Sequence, residues 1–434
     1  MMKEEAMGKK RMVKNGITRR KFIKMVGSAG VAAAGTSLFP RRSRAADRGY
    51  VLIGHPMAST GPIAPFGEAA SFADEIAEKE INDKGGIYLQ DLGKRLPVKL
   101  LAMDSESSPT KAAEIATTMI LKDKVDIIVV ASTPDTTNPV AGACERYGVP
   151  CIGSVPYESF VTGGPYKWAF NYMWSVEQMA DLFVGMWDEF AARTNKVVGG
   201  VWPNDPDGIS LAAIMPRKFE AAGYRVVDVG RHPYGMQDYS AFINTWKKEG
   251  VEILTGSPIP PDFATLWRQC KQKEFYPKIA TIAKACLFPS AVEALGGNLA
   301  LGITVEVWWS PWHPYKSSLS GKSCKDMVDA WTAKTGRQWT QILGLDYCGI
   351  EIAVDAIKRA GSLDKEKIRK AVTTTDLNTL FGHIKFNDKN WAPTTLGGAQ
   401  WIKGKEWPWD LQIVYNKTAP EIPITGKMIF PMPK

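Results

Sequence analysis

The sequence is poor in the residues that build metal and redox centres. Its four histidines (His55, His232, His313, His383) are scattered, and its six cysteines (Cys144, Cys151, Cys270, Cys286, Cys324, Cys348) form no CxxC pair, so no zinc or haem pattern arises. No metal and no cofactor is expected. Hydrophobic runs are short as well, and none reaches the roughly 20 apolar residues that span a bilayer. Phosphate and nucleophile signatures are incomplete. Gly321-Lys322-Ser323 resembles the end of a P-loop, but the glycine required five residues upstream is Lys316. Gly208-Ile209-Ser210-Leu211-Ala212 lacks the last glycine of a nucleophile elbow, and no suitably placed histidine supports it. Together these absences count against an enzyme.

What is present is ordinary globular material. The 434 residues are 45% hydrophobic and 23% charged, which suits about two domains or more and excludes disorder, collagen and coiled coil. Charge is unevenly placed. Of the 54 basic residues 12, and of the 45 acidic residues 2, fall within residues 1–46, leaving 42 against 43 for the rest. The basic excess belongs to a leader, so neither nucleic acid nor an anionic membrane is indicated as a partner.

That leader reads as an export signal. Thr18-Arg19-Arg20-Lys21-Phe22-Ile23-Lys24 precedes a mildly apolar Gly/Ala-rich run over residues 25–39, which Pro40 ends. Ser43 and Ala45 place small side chains at the −3 and −1 positions of a cleavage site, which puts the cut after Ala45. Adjacent arginines before a weak apolar core resemble a twin-arginine (Tat) signal, so residues 1–45 are assigned to it and the Tat translocase is a partner during export. A nucleic-acid-binding arm would account for the arginines alone. An uncleaved anchor would need a longer and more apolar run. The mature chain is accordingly expected in the periplasm, where disulfides form readily; the loosely spaced cysteines read as buried thiols with room for one or two bridges.

Along the body, apolar runs of strand length alternate with stretches of helical period. Residues 50–54 read as a strand, followed by a helix on which Ala69, Phe72, Ala73, Ile76 and Ala77 recur at three and four residues. Residues 98–103 form the next strand, and Ser108-Pro109 supplies an N-cap and N1 proline for a helix to about residue 121. Residues 125–130, apolar on both faces, read as a buried parallel strand. A helix over 139–147 and a strand over 150–152 follow. The pattern then restarts, with helices over 176–192, 209–222, 239–249 and 261–274 and strands over 196–202, 224–229, 251–255 and 278–283. Such alternation gives parallel, doubly wound α/β sheets, and two units of similar length give two lobes. Ligands in such sheets bind at the carboxyl ends of the strands, so the crevice between lobes is the expected site.

Several motifs carry a family resemblance. Ile53-Gly54-His55-Pro56-Met57-Ala58-Ser59-Thr60-Gly61-Pro62, Glu80-Ile81-Asn82-Asp83-Lys84-Gly85-Gly86-Ile87, and Met103-Asp104 followed by Pro109-Thr110-Lys111-Ala112 resemble the periplasmic branched-chain amino-acid binding proteins of ABC transporters. Lys124-Val125-Asp126-Ile127-Ile128, Tyr147-Gly148-Val149-Pro150-Cys151-Ile152, Gly344-Leu345-Asp346-Tyr347, Ala356-Ile357-Lys358-Arg359-Ala360-Gly361-Ser362 and Phe381-Gly382-His383-Ile384-Lys385-Phe386 follow in the family's order. The resemblance implies a type I periplasmic binding fold with three crossings between lobes. It divides the chain into a first lobe of residues 47–173 and 309–385 and a second of 174–308 and 386–434.

It also implies binding residues. Ser59 and Thr60 either cap the following helix or touch ligand, and Ser132 and Thr133 share that ambiguity. In the resembled family, loops after two first-lobe strands grip a ligand carboxylate with hydroxyls and backbone N–H groups at helix N-termini, an arrangement that favours anions. The matching residues are Ser132, Thr133, Ser154, Val155 and Tyr157, the last replacing a smaller hydroxyl and so reshaping the pocket. In the second lobe, Lys284 stands where the family has an acid for the ligand ammonium, Asp207 where one aromatic is expected, and Ile259-Pro260 where another is. Either Asp205 or Asp207 takes the acid's task, or the ligand lacks an ammonium and turns a carboxylate or carbonyl toward Lys284. Trp308, Trp309 and Trp312 permit a stacking wall for a planar ligand.

The expected function is capture of a small polar molecule (an amino acid, carboxylate or amide) by a monomer that closes its lobes and delivers the ligand to an ABC permease. A sensory receptor is the alternative binding role. A Tat-exported redox enzyme lacks its ligand set, and a repressor would need a helix-turn-helix where the export signal stands.

Overall fold

The computed structural model describes residues 48–434; the twin arginines, the apolar run and the cleavage position after Ala45 lie outside the described residues. The first half of the chain forms strands β1 (Val51–Met57), β2 (Ile87–Leu89), β3 (Lys94–Leu96), β4 (Val98–Asp104), β5 (Ile127–Ala131), β6 (Cys151–Ser154) and β7 (Ala169–Tyr172). The second forms β8 (Val197–Pro203), β9 (Arg225–His232), β10 (Ile253–Gly256), β11 (Ile279–Ile282), β12 (Thr304–Val307), β13 (Asp376–Thr379), β14 (Gly382–Lys385), β15 (Trp391–Ala392), β16 (Gly397–Lys403) and β17 (Trp409–Tyr415).

Two large sheets result. The first has the order β15-β7-β6-β5-β1-β4 and the second β17-β16-β12-β11-β10-β8-β9. Every pairing in the first is parallel, and so is the second from β9 through β12. A doubly wound α/β fold follows, because each parallel neighbour needs a crossover helix. Two antiparallel pairings, β12 with β16 and β16 with β17, extend the second sheet at one edge. Every residue of β1 and β5 is buried, as strands covered by helices on both faces must be.

Local chemistry sets the helix starts. Ser108 accepts a hydrogen bond from the Lys111 N–H at 3.3 Å, with Pro109 at N1 of the helix Pro109–Thr118. Ser175 and Gln178 close a capping box on Val176–Asp188. One start differs from expectation: the helix after β5 is Pro134–Tyr147, and Pro139 lies inside it. Pro134 takes N1, where a missing N–H costs nothing, while Pro139 removes a single later hydrogen bond. The helix therefore begins directly after Thr133. The long helix Ile342–Ala360 is buried almost throughout its length and packs on β5 and β6.

All six cysteines are buried and unbridged. Among the described residues no helix is long and apolar enough to cross a membrane, and no group of His, Cys, Asp and Glu could hold a metal ion.

Candidate functional site

The carboxyl ends of both parallel sheets face one cavity. It holds about 430 Å³ of unfilled space, part of it open to solvent. From the strand ends of the first sheet, Ser132 and Thr133 follow β5, Ser154 and Val155 close β6, and Met173 and Trp174, on either side of the expected lobe boundary, follow β7. From the second, Asp207 opens the helix Pro206–Ala221, Ser257 follows β10, Lys284 follows β11, and Glu306 and Trp308 come from the end of β12. This is where an open α/β sheet presents its loops, so the location follows from the topology.

The first-lobe end offers hydroxyls. Ser132 Oγ and Thr133 Oγ1 are buried without a hydrogen-bond partner, directly before the helix Pro134–Tyr147. Their neighbours are already engaged: Ser154 Oγ donates to the Tyr172 carbonyl at 2.8 Å, and the Val155 N–H donates to Asn171 Oδ1 at 3.0 Å. Apolar and aromatic walls flank this end. Trp174 and Trp308 stack with centroids 6.2 Å apart, and Phe66 meets Phe288 edge-on at 4.8 Å.

The second-lobe end is a buried ionic cluster. Lys284, at φ +60°, points its Nζ 2.6 Å from Asp205 Oδ2, 3.0 Å from Asp207 Oδ2 and 3.9 Å from Asp135 Oδ2 of the first lobe. Burial alone would lower the lysine's pKa, but the carboxylates around it hold it well above its ordinary value. Asp205 N-caps its helix, accepting from the Gly208 N–H at 2.6 Å. Its carboxyl is held below the usual range because Lys284 outweighs the penalty of burial. Asp207 is pushed up to about 6 by burial, against the pull of Lys284. Gly208 permits this loop, since a Cβ there would lie 1.9 Å from the Pro203 carbonyl oxygen. Tyr234 donates to Asp135 Oδ2 at 2.7 Å and also touches Asp205. A single hydroxyl proton cannot serve both carboxylates at once, and burial pushes the Asp135 carboxyl up from its ordinary value against the pull of Lys284.

Glu306 completes this end. It is 1% exposed, its Oε2 has no partner, and burial pushes its pKa up to about 8. No histidine or cysteine lines the cavity.

Of the residues expected from sequence, the structure brings together Ser132, Thr133, Ser154, Val155, Asp207 and Lys284 on the lining. The others lie elsewhere. Ser59 and Thr60 neither line the cavity nor cap a helix; the Ser59 N–H and the Thr60 hydroxyl donate to Asp104 at 2.9 and 2.6 Å, fastening the loop to the end of β4. Tyr157 turns away and stacks on Trp391 at 4.2 Å, so it does not reshape the pocket. Ile259 is buried at the N-cap position of the helix Pro260–Gln272. Asp205 stands behind Lys284. Sequence reasoning missed Glu306, Ser257, Phe66 and Trp174 while it flagged Trp308. The signal for Glu306 was an acid inside the apolar run over residues 303–308.

Comparison with known proteins identifies the family and the fold. A family model described as periplasmic binding protein matches residues 51–404. The leucine-, isoleucine-, valine-, threonine-, and alanine-binding protein of Pseudomonas aeruginosa is 24% identical over 363 residues, covering 83% of this chain and 91% of that protein. A Leu/Ile/Val-binding protein homolog of Brucella abortus is 22% identical over 364 residues, 80% of this chain and 87% of its own length. Among solved structures, a leucine binding protein from Thermotoga maritima superposes with a TM-score of 0.71 at 23% identity, covering 85% of this chain and 99% of that one. An ABC transporter solute binding protein from Rhodopseudomonas palustris, in complex with 3,4-dihydroxy benzoic acid, gives 0.67 at 17% identity over 87% and 99%.

Proposed function

The chain belongs to the periplasmic binding protein family, and on that premise we propose that it captures a small carboxylate-bearing solute between its lobes and delivers it to an ABC permease. One observation carries the reading: a single cavity is walled by the carboxyl ends of both sheets, so a ligand there touches both lobes at once. Such a ligand shifts the population toward the closed form in proportion to its contacts with the second lobe. Contacts already span the cleft, with Ser159 Oγ 2.6 Å from Ser210 Oγ and Tyr234 bonded to Asp135, which supports closure of this kind.

The carboxylate goes to the first lobe in this reading. Ser132 and Thr133 supply unpartnered hydroxyls at the start of a 14-residue helix, whose dipole favours negative charge. Support for a carboxylate comes from the relatives: one is named for binding amino acids, and the Rhodopseudomonas protein holds 3,4-dihydroxy benzoic acid.

A thermal-shift screen of residues 46–434 against amino acids, aromatic acids, dicarboxylates and amides tests the proposal. A ligand at a hundredfold excess over its Kd adds about 2.7 kcal/mol to folding stability. At least one carboxylate should raise Tm, and Ser132→Ala should reduce that shift. A screen in which no carboxylate acts would overturn the reading.

A further inference from the structure

Outside the cleft, the helix Ala70–Asp83 packs along β4, the strand at one edge of the first sheet. An edge strand leaves the N–H and C=O of every second residue without a neighbouring strand. Here side chains of the helix take that place. Asn82 Nδ2 donates to the Val98 carbonyl at 2.9 Å, and its Oδ1 accepts from the Val98 N–H at 2.8 Å. One turn back, Glu78 Oε2 accepts from the Leu100 N–H at 2.8 Å. Four helical residues and two strand residues both advance by about 6 Å, so the next rung sets Asp74 against Ala102. That rung is open. Asp74 Oδ1 is bonded inward to His55 Nδ1 at 2.7 Å, while Oδ2, in a residue only 6% exposed, has no partner. A groove of about 760 Å³, part of it open to solvent, lies at this rung, with Ser71, Asp74, Glu75, Glu78, Leu100 and Ala102 among its walls. None of its lining residues lines the cleft.

We propose that this groove is a second binding site and that it takes an organic cation, an alkylguanidinium or alkylammonium group. The N–H donors of such a group meet Asp74 Oδ2 and the outward carbonyl of Ala102, and its alkyl stem lies on Leu100. Three carboxylates wall the groove, and the lysine on its lining, Lys79, is paired with Asp83 one turn further on. Glu75 is paired with Lys334 in an exposed contact that a bound cation can replace, since such pairs are worth little in water. A charge-assisted bond to a carboxylate is about twice as strong as a neutral one, which selects a cation over an uncharged group of the same shape. A free small cation and the arginine or lysine side chain of a partner protein carry the same chemistry.

Occupancy of the groove has a proton signature. His55 stands between Asp74 on the helix Ala70–Asp83 and Asp346 on the helix Ile342–Ala360, whose carboxyl burial pushes well up. Burial lowers the His55 pKa, but the charge and hydrogen bond of Asp74 outweigh it. A cation on Asp74 Oδ2 offsets the charge that holds the imidazolium, so binding expels part of a proton from His55 to solvent.

Calorimetry at pH 7 and low salt on residues 46–434 tests the site with n-butylguanidinium, n-butylammonium and the uncharged n-butylurea. At least one of the cations should bind about tenfold tighter than the urea, or more. Glu78→Gln keeps an acceptor for the Leu100 N–H and should weaken the cation by roughly threefold. Ser71→Arg, on the exposed first turn of the helix, supplies a guanidinium from within the chain; it should abolish cation binding without lowering Tm. Heats in two buffers should record proton release from the wild type and none from His55→Gln. The capped peptide acetyl-Gly-Arg-Gly-amide separates the sources: binding at least as tight as that of n-butylguanidinium assigns the site to a partner's side chain, and weaker binding assigns it to a free cation. Equal affinities for cations and urea, or cation binding unaltered by Ser71→Arg, would overturn the site. Cation binding without proton release would place the cation away from Asp74 and overturn the assignment as well. The cleft is read independently, since a carboxylate that raises Tm should do so equally in Ser71→Arg.

Discussion

Lys284 Nζ and Asp205 Oδ2 lie 2.6 Å apart with both side chains buried, so the lysine belongs to a neutralised cluster and does not present a free cation to the cleft. This changes the argument drawn from sequence. A lone lysine facing the ligand would repel an ammonium, whereas a lysine bracketed by Asp205, Asp207 and Asp135 leaves its surroundings with at least as much negative charge as positive. The case against an ammonium-bearing ligand loses its electrostatic basis.

Lys284→Glu, which on the sequence alone would restore an acid for leucine, instead adds a carboxylate to three others. Removing one member of a buried ion pair costs about 3–5 kcal/mol. The variant should unfold at a clearly lower urea concentration and gain no leucine binding. A stable variant with new submicromolar leucine affinity would contradict the cluster.

Tyr234 joins the lobes through Asp135, and its loss should loosen closure without disturbing either sheet. Tyr234→Phe removes a neutral-to-charged hydrogen bond worth about 1.5–3 kcal/mol in favourable cases. Ligand dissociation should speed up by roughly tenfold in stopped-flow fluorescence, with little change in association. Small-angle scattering on the same pair of proteins should record compaction on ligand binding. An unchanged radius of gyration would mean a rigid module.

Stability should fall as the pH rises through neutrality. His55 is buried in β1 with Nδ1 2.7 Å from Asp74 Oδ1 and Nε2 3.9 Å from Asp346 Oδ1. Burial lowers its pKa, but the charge and hydrogen bond of Asp74 outweigh burial and raise it above 6.5. A raised histidine contributes stability that is full below its unfolded pKa and is lost as pH climbs through the folded value. Asp346 and Glu351, both raised by burial, the latter to about 7, favour their protonated forms and act in the same direction. Urea midpoints should therefore decline from pH 6 to pH 8. His55→Gln should flatten the slope, and an equal slope in that variant would remove His55 from the account.

Export should depend on Arg19 and Arg20 together. Lysine at both positions should leave precursor in the cytoplasm, detected by fractionation and immunoblot. Undiminished export would point to the general secretory route and would leave the binding site untouched.

Much of the scaffold was legible because it rests on short-range patterns. β1 and β5 announce themselves as continuous apolar runs, which buried parallel strands must be. Ser108-Pro109 starts a helix wherever it occurs before one, since capping is satisfied within one turn. The start at Pro134 was less visible, because a proline six positions into a helix reads as a boundary until packing overrides it. Ser132 and Thr133 were found from the loop that follows a readable strand. Ser59 and Thr60 were misplaced for the converse reason: their partner Asp104 lies 45 and 44 positions away, at the end of a neighbouring strand.

The sequence by itself determined the alternation of strands and helices, hence two parallel α/β lobes and a site at their strand ends. Charge in that site was decided only by the tertiary structure. Lys284 meets Asp205 across 79 positions and Asp135 across the cleft, and its effect on a ligand depends on those distances because Coulomb energy in a buried site changes by several kcal/mol over a few ångströms. Glu306 is one more acid in the sequence; enclosure in β12 beside Asp207, with no partner for its Oε2, is what raises its proton affinity.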